Sequence, residues 1–131
     1  MAELQRLDKP RTTNQVITLT TTRQLKASES GALVVIDSTT AFTTTLPAPK
    51  KGLEFTFFLK QVAAATGHTI AVTTGPVMYG KVSPVGAAAA GTASKGRTNT
   101  QATSAVGDGL YVFSDGTNWF ATPTGTWAEQ A

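Results

Sequence analysis

The stretch DGLYVFSDGTNWFATPTGTW, residues 108–127, holds both tryptophans of the chain and a central Asp-Gly pair. Asp-Gly between two alternating apolar runs is a strong signal for a β-hairpin. Strand alternation then puts Tyr111 and Phe113 on one face of the first strand, with the aliphatic residues beside them on the other face. The stretch therefore predicts a closing hairpin, with Asp115-Gly116 in its turn.

The role of the two tryptophans has three interpretations. Trp119 and Trp127 lie in strand-like segments, where cross-strand packing stabilises a sheet. One of them could instead stack on a bound sugar. Either could also contact another subunit, because aromatic residues are enriched in interface cores. Packing is favoured, because Phe55 and Phe57 on an earlier strand supply apolar partners.

The earlier part of the chain also predicts strands. LEFTFFLKQVA, residues 53–63, alternates with a period of two. GALVVIDS, residues 31–38, is a continuous apolar run between turn signals, which is typical of a strand buried on both faces. A short link containing glycine joins residues 53–63 to the segment His68–Thr73 and predicts an antiparallel hairpin. Together, the short runs predict an all-β fold, a compact sandwich or barrel of about eight short antiparallel strands.

Two segments differ in composition from this β pattern. Residues 1–15 are polar and charged, and we expect them to form an extended N-terminal arm that is either disordered or docked on a neighbour. Residues 16–131 then form a single β-domain. Within it, residues 82–104 are rich in Ala, Gly and Thr, and predict an extended loop or an irregular edge strand.

Composition limits the classes of partner. The 131 residues suit one domain, and 40% of them are apolar, which is enough for a core. The net charge is +3, and Lys50-Lys51 is the only adjacent basic pair, so a nucleic-acid partner is not expected. No stretch approaches the ~18 apolar residues of a membrane span, so no membrane partner is expected either.

The side chains that carry chemistry are few. His68 is the only histidine, and the chain has no cysteine. A zinc site needs about three or four protein ligands, so we expect neither a metal site nor a disulfide. The carboxylates fall in no motif, and Asp108 and Asp115 precede glycines, which is typical of turns. No phosphate-binding loop, nucleophile elbow or zinc-protease motif is present. We therefore expect no enzymatic activity and no cofactor.

The succession TTTLPAPKKGLEFTFFLKQ, GHTIAVTTG, MYGKV and GLYVFSDGTNWFATPTGTW resembles a β-domain of tailed-bacteriophage virion proteins. Small capsid decoration (head-cement) proteins are similar, as are some fibre-associated domains. The shared features are a Leu-Pro turn, a Gly-x-x-Phe-Thr-Phe strand, a strand ending in Thr-Thr-Gly, and a Gly/Asp-rich turn before an aromatic residue. They lie at Leu46-Pro47, Gly52, 55–57, 73–75 and 115–119, and the resemblance covers about residues 40–127.

The resemblance implies a structural virion protein that binds the outer surface of a phage capsid as a homo-oligomer, expected to be a trimer, and stabilises the shell. Its partners would be the major capsid protein and further copies of itself. It would be made in the host cytoplasm and would lie on the capsid surface of the virion. The contact residues are expected in the arm: Leu4, Arg6, Leu7, Lys9 and Arg11.

The alternative function is that of a carbohydrate- or receptor-binding domain of a phage fibre. In that case Trp119 or Trp127 would stack on the glycan. The two functions are not separated by the sequence, because both belong to β-domains of the same kind.

Overall fold

A computed structural model describes residues 15–80 and 92–129 of the chain, and these residues form twelve strands and two short 3₁₀ turns. The strands are β1 (Val16–Leu19), β2 (Arg23–Gln24), β3 (Leu33–Ile36), β4 (Thr43–Thr45), β5 (Glu54–Leu59), β6 (Thr69–Ala71), β7 (Met78–Gly80), β8 (Thr92–Ser94), β9 (Gly96–Asn99), β10 (Gly109–Ser114), β11 (Trp119–Thr124) and β12 (Trp127–Glu129). The 3₁₀ turns are Ala27–Glu29 and Gln101–Thr103. The all-β prediction is confirmed.

The strands form two sheets, and the first half of the chain alternates between them. The seven-stranded sheet has the order β1-β3-β5-β10-β11-β7-β8, and the five-stranded sheet has the order β12-β9-β6-β4-β2. Strands β1, β3 and β5 pair in parallel in the larger sheet, and β2, β4 and β6 pair in parallel in the smaller one. The chain therefore winds through three successive coils of a parallel β-solenoid, with one strand of each coil in each sheet.

The coils stack because each strand buries the same alternate positions. Ile17, Val34, Phe57 and Leu110 are in register across β1, β3, β5 and β10, and each is at most 7% exposed. Such a row contributes to a single core, in which each fully buried large side chain stabilises the fold by ~1.5–3 kcal/mol. The five-stranded sheet contributes Ile70 to the same core.

In the second half of the chain, antiparallel strands continue both sheets beyond the parallel strands. β10 pairs with β5 in the larger sheet, and β9 pairs with β6 in the smaller one. β10 and β11 form the predicted hairpin, with Ser114 opposite Trp119 across the turn. The pairing of β12 with β9 then places Trp127 in the core at the edge of the smaller sheet.

The structure differs from the predicted fold in three details. The described residues form twelve strands rather than about eight, and five of their ten strand pairings are parallel rather than antiparallel. The predicted hairpin between residues 53–63 and His68–Thr73 does not form, because β5 and β6 lie in different sheets. Alternation reports which face of a strand is buried, and carries no information about which strand lies beside it.

The loop predicted over residues 82–104 is also corrected in part. Residues 82–91 lie outside the described residues, but β8 and β9 are regular strands within the predicted loop. β9 is an interior strand, with β6 on one side and β12 on the other. Its sequence lacks apolar alternation because the alternate positions that it buries are the polar residues Arg97 and Asn99. The Arg97 guanidinium donates hydrogen bonds to the carbonyl oxygens of Gly80, at 2.7 Å, and Gly96, at 3.0 Å.

Candidate interaction surface

The side of the seven-stranded sheet that faces away from the core is the candidate site. We call it the outer face and define it by the exposed alternate positions of β1, β3, β5, β7, β10 and β11. Alternation sets it out clearly in β5, where every second residue from Glu54 is exposed and every second residue from Phe55 is buried. The same period in β10 exposes Tyr111 and Phe113, which lie on one face of the strand, as the sequence predicts. Their exposure is a finding of the structure, because the sequence favoured packing for the aromatic residues of this hairpin.

Four aromatic rings lie side by side in one continuous row on the outer face, near the turn of the closing hairpin. The rings of Tyr79 and Phe120 are stacked with centroids 5.7 Å apart, and those of Phe120 and Phe113 are stacked at 5.3 Å. Phe113 also lies 5.9 Å from Tyr111 in a tilted arrangement. We call these four residues the aromatic row. Offset or tilted pairs at such distances contribute ~0.5–1.5 kcal/mol each beyond their buried area.

The rings of the aromatic row pack on one another and still face solvent. Tyr79, Tyr111 and Phe113 are 40%, 37% and 42% exposed. The row is extended by Phe58 on β5, which is 42% exposed, and by Leu33 on β3, which is 37% exposed. Single exposed apolar residues are ordinary, but contiguous apolar patches of this kind mark binding surfaces in soluble proteins.

The outer face is almost free of charge. Among the described exposed positions of its six strands, Glu54 is the only charged residue. The Tyr111 hydroxyl donates a hydrogen bond of 2.6 Å to the Glu54 carboxylate. This bond, together with partial burial and the negative charge, raises the pKa of Tyr111 above its ordinary value. The remaining polar groups of the face are mostly threonines.

The turn of the closing hairpin holds the aromatic row in place. The Asp115 carboxylate accepts hydrogen bonds from the backbone N–H groups of Thr117 and Asn118, both at 2.9 Å, and these bonds lower the pKa of Asp115. Asn118 in turn accepts a hydrogen bond of 3.0 Å from the Val77 N–H through its side-chain oxygen. The turn is thereby tied to the residue just before β7, and β7 places Tyr79 directly opposite Phe120.

Both tryptophans lie in the core rather than on the outer face. Trp119 and Trp127 are each 0% exposed. The Trp119 ring lies 6.1 Å from that of Phe55, and the Trp127 indole N–H donates a hydrogen bond of 3.0 Å to the Thr124 carbonyl oxygen. This is the arrangement that the packing interpretation predicts. Neither indole presents a face on which a sugar could stack.

The opposite outer surface, on the five-stranded sheet, has a different chemistry. Thr43, Thr69 and Thr98 stand in register across β4, β6 and β9. The hydroxyl oxygens of Thr69 and Thr98 are 2.9 Å apart and share a hydrogen bond. All three threonines are partly buried, and they line a shallow cleft with Phe42. This surface offers hydroxyl groups where the outer face offers aromatic rings.

His68 and the buried carboxylate of Asp108 have hydrogen-bond partners within the fold. His68 is 0% exposed, its Nε2 lies 2.9 Å from the Ser38 carbonyl oxygen, and burial lowers its pKa. Asp108 accepts hydrogen bonds from the Asn99 side-chain amide at 3.0 Å and from the Ala105 N–H at 3.1 Å. Within the described residues, no three His, Asp or Glu side chains converge on a point that could hold a metal ion.

The contact residues predicted in the arm, Leu4, Arg6, Leu7, Lys9 and Arg11, lie outside the described residues. The outer face itself was missed by the sequence analysis, although Tyr111 and Phe113 were placed together on one side of their strand. The missing signal is long-range: Tyr79 and Phe120 join the row only because β7 pairs with β11, which lies much further along the chain.

In residues 15–80 and 92–129, no helix has the length and apolar character needed to cross a membrane. Comparison of the chain with protein-family models, with curated proteins and with solved structures gives no match.

Proposed function

We propose that the chain is a structural protein that binds the outer surface of a phage capsid as a homo-oligomer, which we expect to be a trimer. The observation that carries the proposal is the outer face, an exposed aromatic surface. The described acidic groups and the histidine form no cluster that could hold a metal ion. The resemblance of residues 40–127 to virion β-domains supplies the capsid as the partner.

Binding of this kind would stabilise the shell by linkage. A protein that binds the assembled capsid and not its dissociated subunits raises the apparent stability of the capsid in proportion to RT ln(1 + [L]/Kd). A hundredfold excess over Kd would contribute ~2.7 kcal/mol per site. Stabilisation of this kind comes from contacts alone, so it requires no reactive group and no cofactor.

The proposal assigns contact with the major capsid protein to the N-terminal arm. The arm residues Arg6, Lys9 and Arg11 supply positive charge, and Leu4 and Leu7 supply apolar contacts. The described structure begins at residue 15, immediately before β1, so the arm joins the domain at the edge strand of the larger sheet.

Co-sedimentation with purified capsids tests the proposal. The full chain is expected to bind, and a variant without residues 1–14 is expected to lose binding. The double substitution Lys50→Gln and Lys51→Gln removes two positive charges at another place and should leave binding unchanged. Failure of the full chain to bind capsids would overturn the function, and undiminished binding by the truncated chain would remove the arm from it.

A second candidate function is carbohydrate or receptor binding on a phage fibre. With both tryptophans buried, the observation that favours it is the exposed stack of Tyr79 on Phe120, since aromatic faces are the usual platforms for sugar rings. A glycan array probed with the full chain tests it. Binding that is lost in Phe120→Ala and kept in Val106→Ala would support this function. The absence of binding to any glycan would reject it.

A further inference from the structure

We infer that the outer face is covered by the outer faces of further copies of this chain, so that the aromatic row surrounds the symmetry axis of the homo-oligomer. The inference rests on the homo-oligomer of the proposed function and identifies the surface that forms it. It is carried by four properties of the outer face: its area, its arrangement of apolar and polar groups, its charge and the position of the aromatic row.

The area of the outer face suits a stable interface. The six strands that define it lie about 4.8 Å apart and give a width of ~29 Å, and the six residues of β5, β10 and β11 give a length of ~20 Å at its centre. The resulting plane of up to ~580 Å² approaches the ~600 Å² that each partner contributes to the smaller standard protein interfaces. A small ligand would cover only part of such a plane.

The outer face also has the anatomy of an interface. Aromatic rings form its largest cluster, and exposed threonines lie beside this cluster and at one edge: Thr122 and Thr124 on β11, and Thr18 on the edge strand β1. Interfaces are built in the same way, with an apolar, aromatic core and a polar rim. The rings already stack on one another, so little side-chain entropy is lost when a partner covers them.

The charge of the outer face favours a second copy over a charged partner. A surface that meets itself must be nearly uncharged, because like charges opposite one another are repulsive. Glu54 is the one charged side chain at the described exposed positions of these strands. It is the register partner of Phe113, and its carboxylate accepts the hydrogen bond from the Tyr111 hydroxyl. A polyanion would instead be matched by lysines and arginines, which those positions lack.

The position of the row fits a contact around a symmetry axis. β10 is the fourth of the seven strands, so Phe113 lies midway across the strand order, one residue from the hairpin end of β10. An axis through this part of the face brings each ring close to its own copies, whether the symmetry is twofold or threefold. Each copy then covers the exposed rings of its neighbours, and one apolar surface serves all subunits.

Light scattering during size-exclusion chromatography of the full chain tests the inference. The mass of the wild-type chain is expected to correspond to two or more copies. The double variant Phe113→Thr and Phe120→Thr is expected to elute as a single copy, with an unchanged far-ultraviolet circular dichroism spectrum because threonine fits a strand. Val106 is 66% exposed outside the strands, and Val106→Thr is the control that should retain the wild-type mass.

Cross-linking gives a second readout that keeps every ring of the aromatic row. The chain has no cysteine, so one engineered thiol is unique. Thr122→Cys on the outer face is expected to form covalent oligomers with a bismaleimide, and Val106→Cys is expected to remain a single chain. A wild-type mass of one copy would overturn the inference. So would an oligomer that survives the double threonine variant, or a Thr122→Cys thiol that fails to cross-link within an oligomer.

Failure of this inference can be distinguished from failure of the proposed function in the capsid experiment. An oligomer formed through the outer face that fails to bind capsids overturns the proposed function and leaves this inference standing. A monomer that binds capsids through its arm overturns this inference and leaves the contact with the shell standing.

Discussion

Trp119 and Phe120 are neighbours in the chain, and they point to opposite sides of the same sheet. Trp119 is 0% exposed and packs on Phe55, whereas Phe120 lies on the outer face between Tyr79 and Phe113. Both faces of the closing hairpin carry aromatic side chains. The face that includes Trp119 packs into the core between the two sheets, and the face that includes Phe120 does not. Aromatic character therefore does not distinguish core from binding surface. The distinction depends on which face the second sheet covers.

The largest expected effect comes from the inner face. Trp119→Ala removes a fully buried ring and should lower the free energy of unfolding by ~3–5 kcal/mol, because lost burial and the resulting cavity both destabilise. Urea denaturation at a fixed protein concentration measures the change. Phe120→Ala is the matched control and should cost clearly less, and equal losses for the two variants would contradict the difference between the faces.

The next effect comes from the pairing of β7 with β11. Gly80 has a φ of 139°, and a Cβ placed there would lie 2.2 Å from the Ala121 carbonyl oxygen. Gly80→Ala should therefore separate the two strands and lower the free energy of unfolding by ~1–3 kcal/mol, the usual cost of such strain. The separation of Tyr79 from Phe120 should also alter the near-ultraviolet circular dichroism of the aromatic row. The positive-φ Gly31 has open space at its Cβ, so Gly31→Ala is a control for backbone strain without a steric clash.

A smaller effect is expected at the turn. Asn118→Ala removes the hydrogen bond to the Val77 N–H and should lower the free energy of unfolding by ~0.5–1.5 kcal/mol. Thermal unfolding followed by circular dichroism measures it. Thr117→Ala changes the neighbouring residue and keeps its backbone N–H bond to Asp115, so it should have a smaller effect. A larger effect of Thr117→Ala would show that the turn does not depend on its link to β7.

The smallest effect is expected in the pKa of Tyr111 on the outer face. Glu54→Gln removes the carboxylate that holds the Tyr111 hydroxyl proton, so the pKa of Tyr111 should fall toward the ordinary value of 10.0. The folded protein titrated by ultraviolet absorbance reports the phenolate. Glu129→Gln removes a carboxylate elsewhere and should leave the titration unchanged. A titration that is the same in wild type and Glu54→Gln would mean that the bond does not form.

Much of the local structure was accessible from the sequence. The Asp115-Gly116 turn, the two faces of β10 and the burial of Phe55 and Phe57 follow from turn chemistry and a period of two. These features depend only on residues close together in the chain. The same period placed Tyr111 and Phe113 on one face of β10, but it did not predict that this face is the exposed one.

The winding of the chain was not accessible, because it is decided by long-range pairing. The alternation of residues 53–73 does not distinguish a hairpin from a crossing to a second sheet, since a link that contains glycine can join two apolar runs in either way. β9 was missed for a different reason. Its alternate buried positions are Arg97 and Asn99, whose hydrogen bonds replace the apolar packing that pattern analysis detects.

The unequal spacing of the three coils has an evolutionary consequence. Val16 pairs with Leu33, 17 residues later, and Leu33 pairs with Thr56, 23 residues later, yet the stacked strands keep one register. The extra length is accommodated in the corners that join the two sheets. Insertions and deletions at these corners can therefore accumulate without moving the residues of either sheet. Related chains of quite different length would then share one assembly surface, and their corners would be free to diverge.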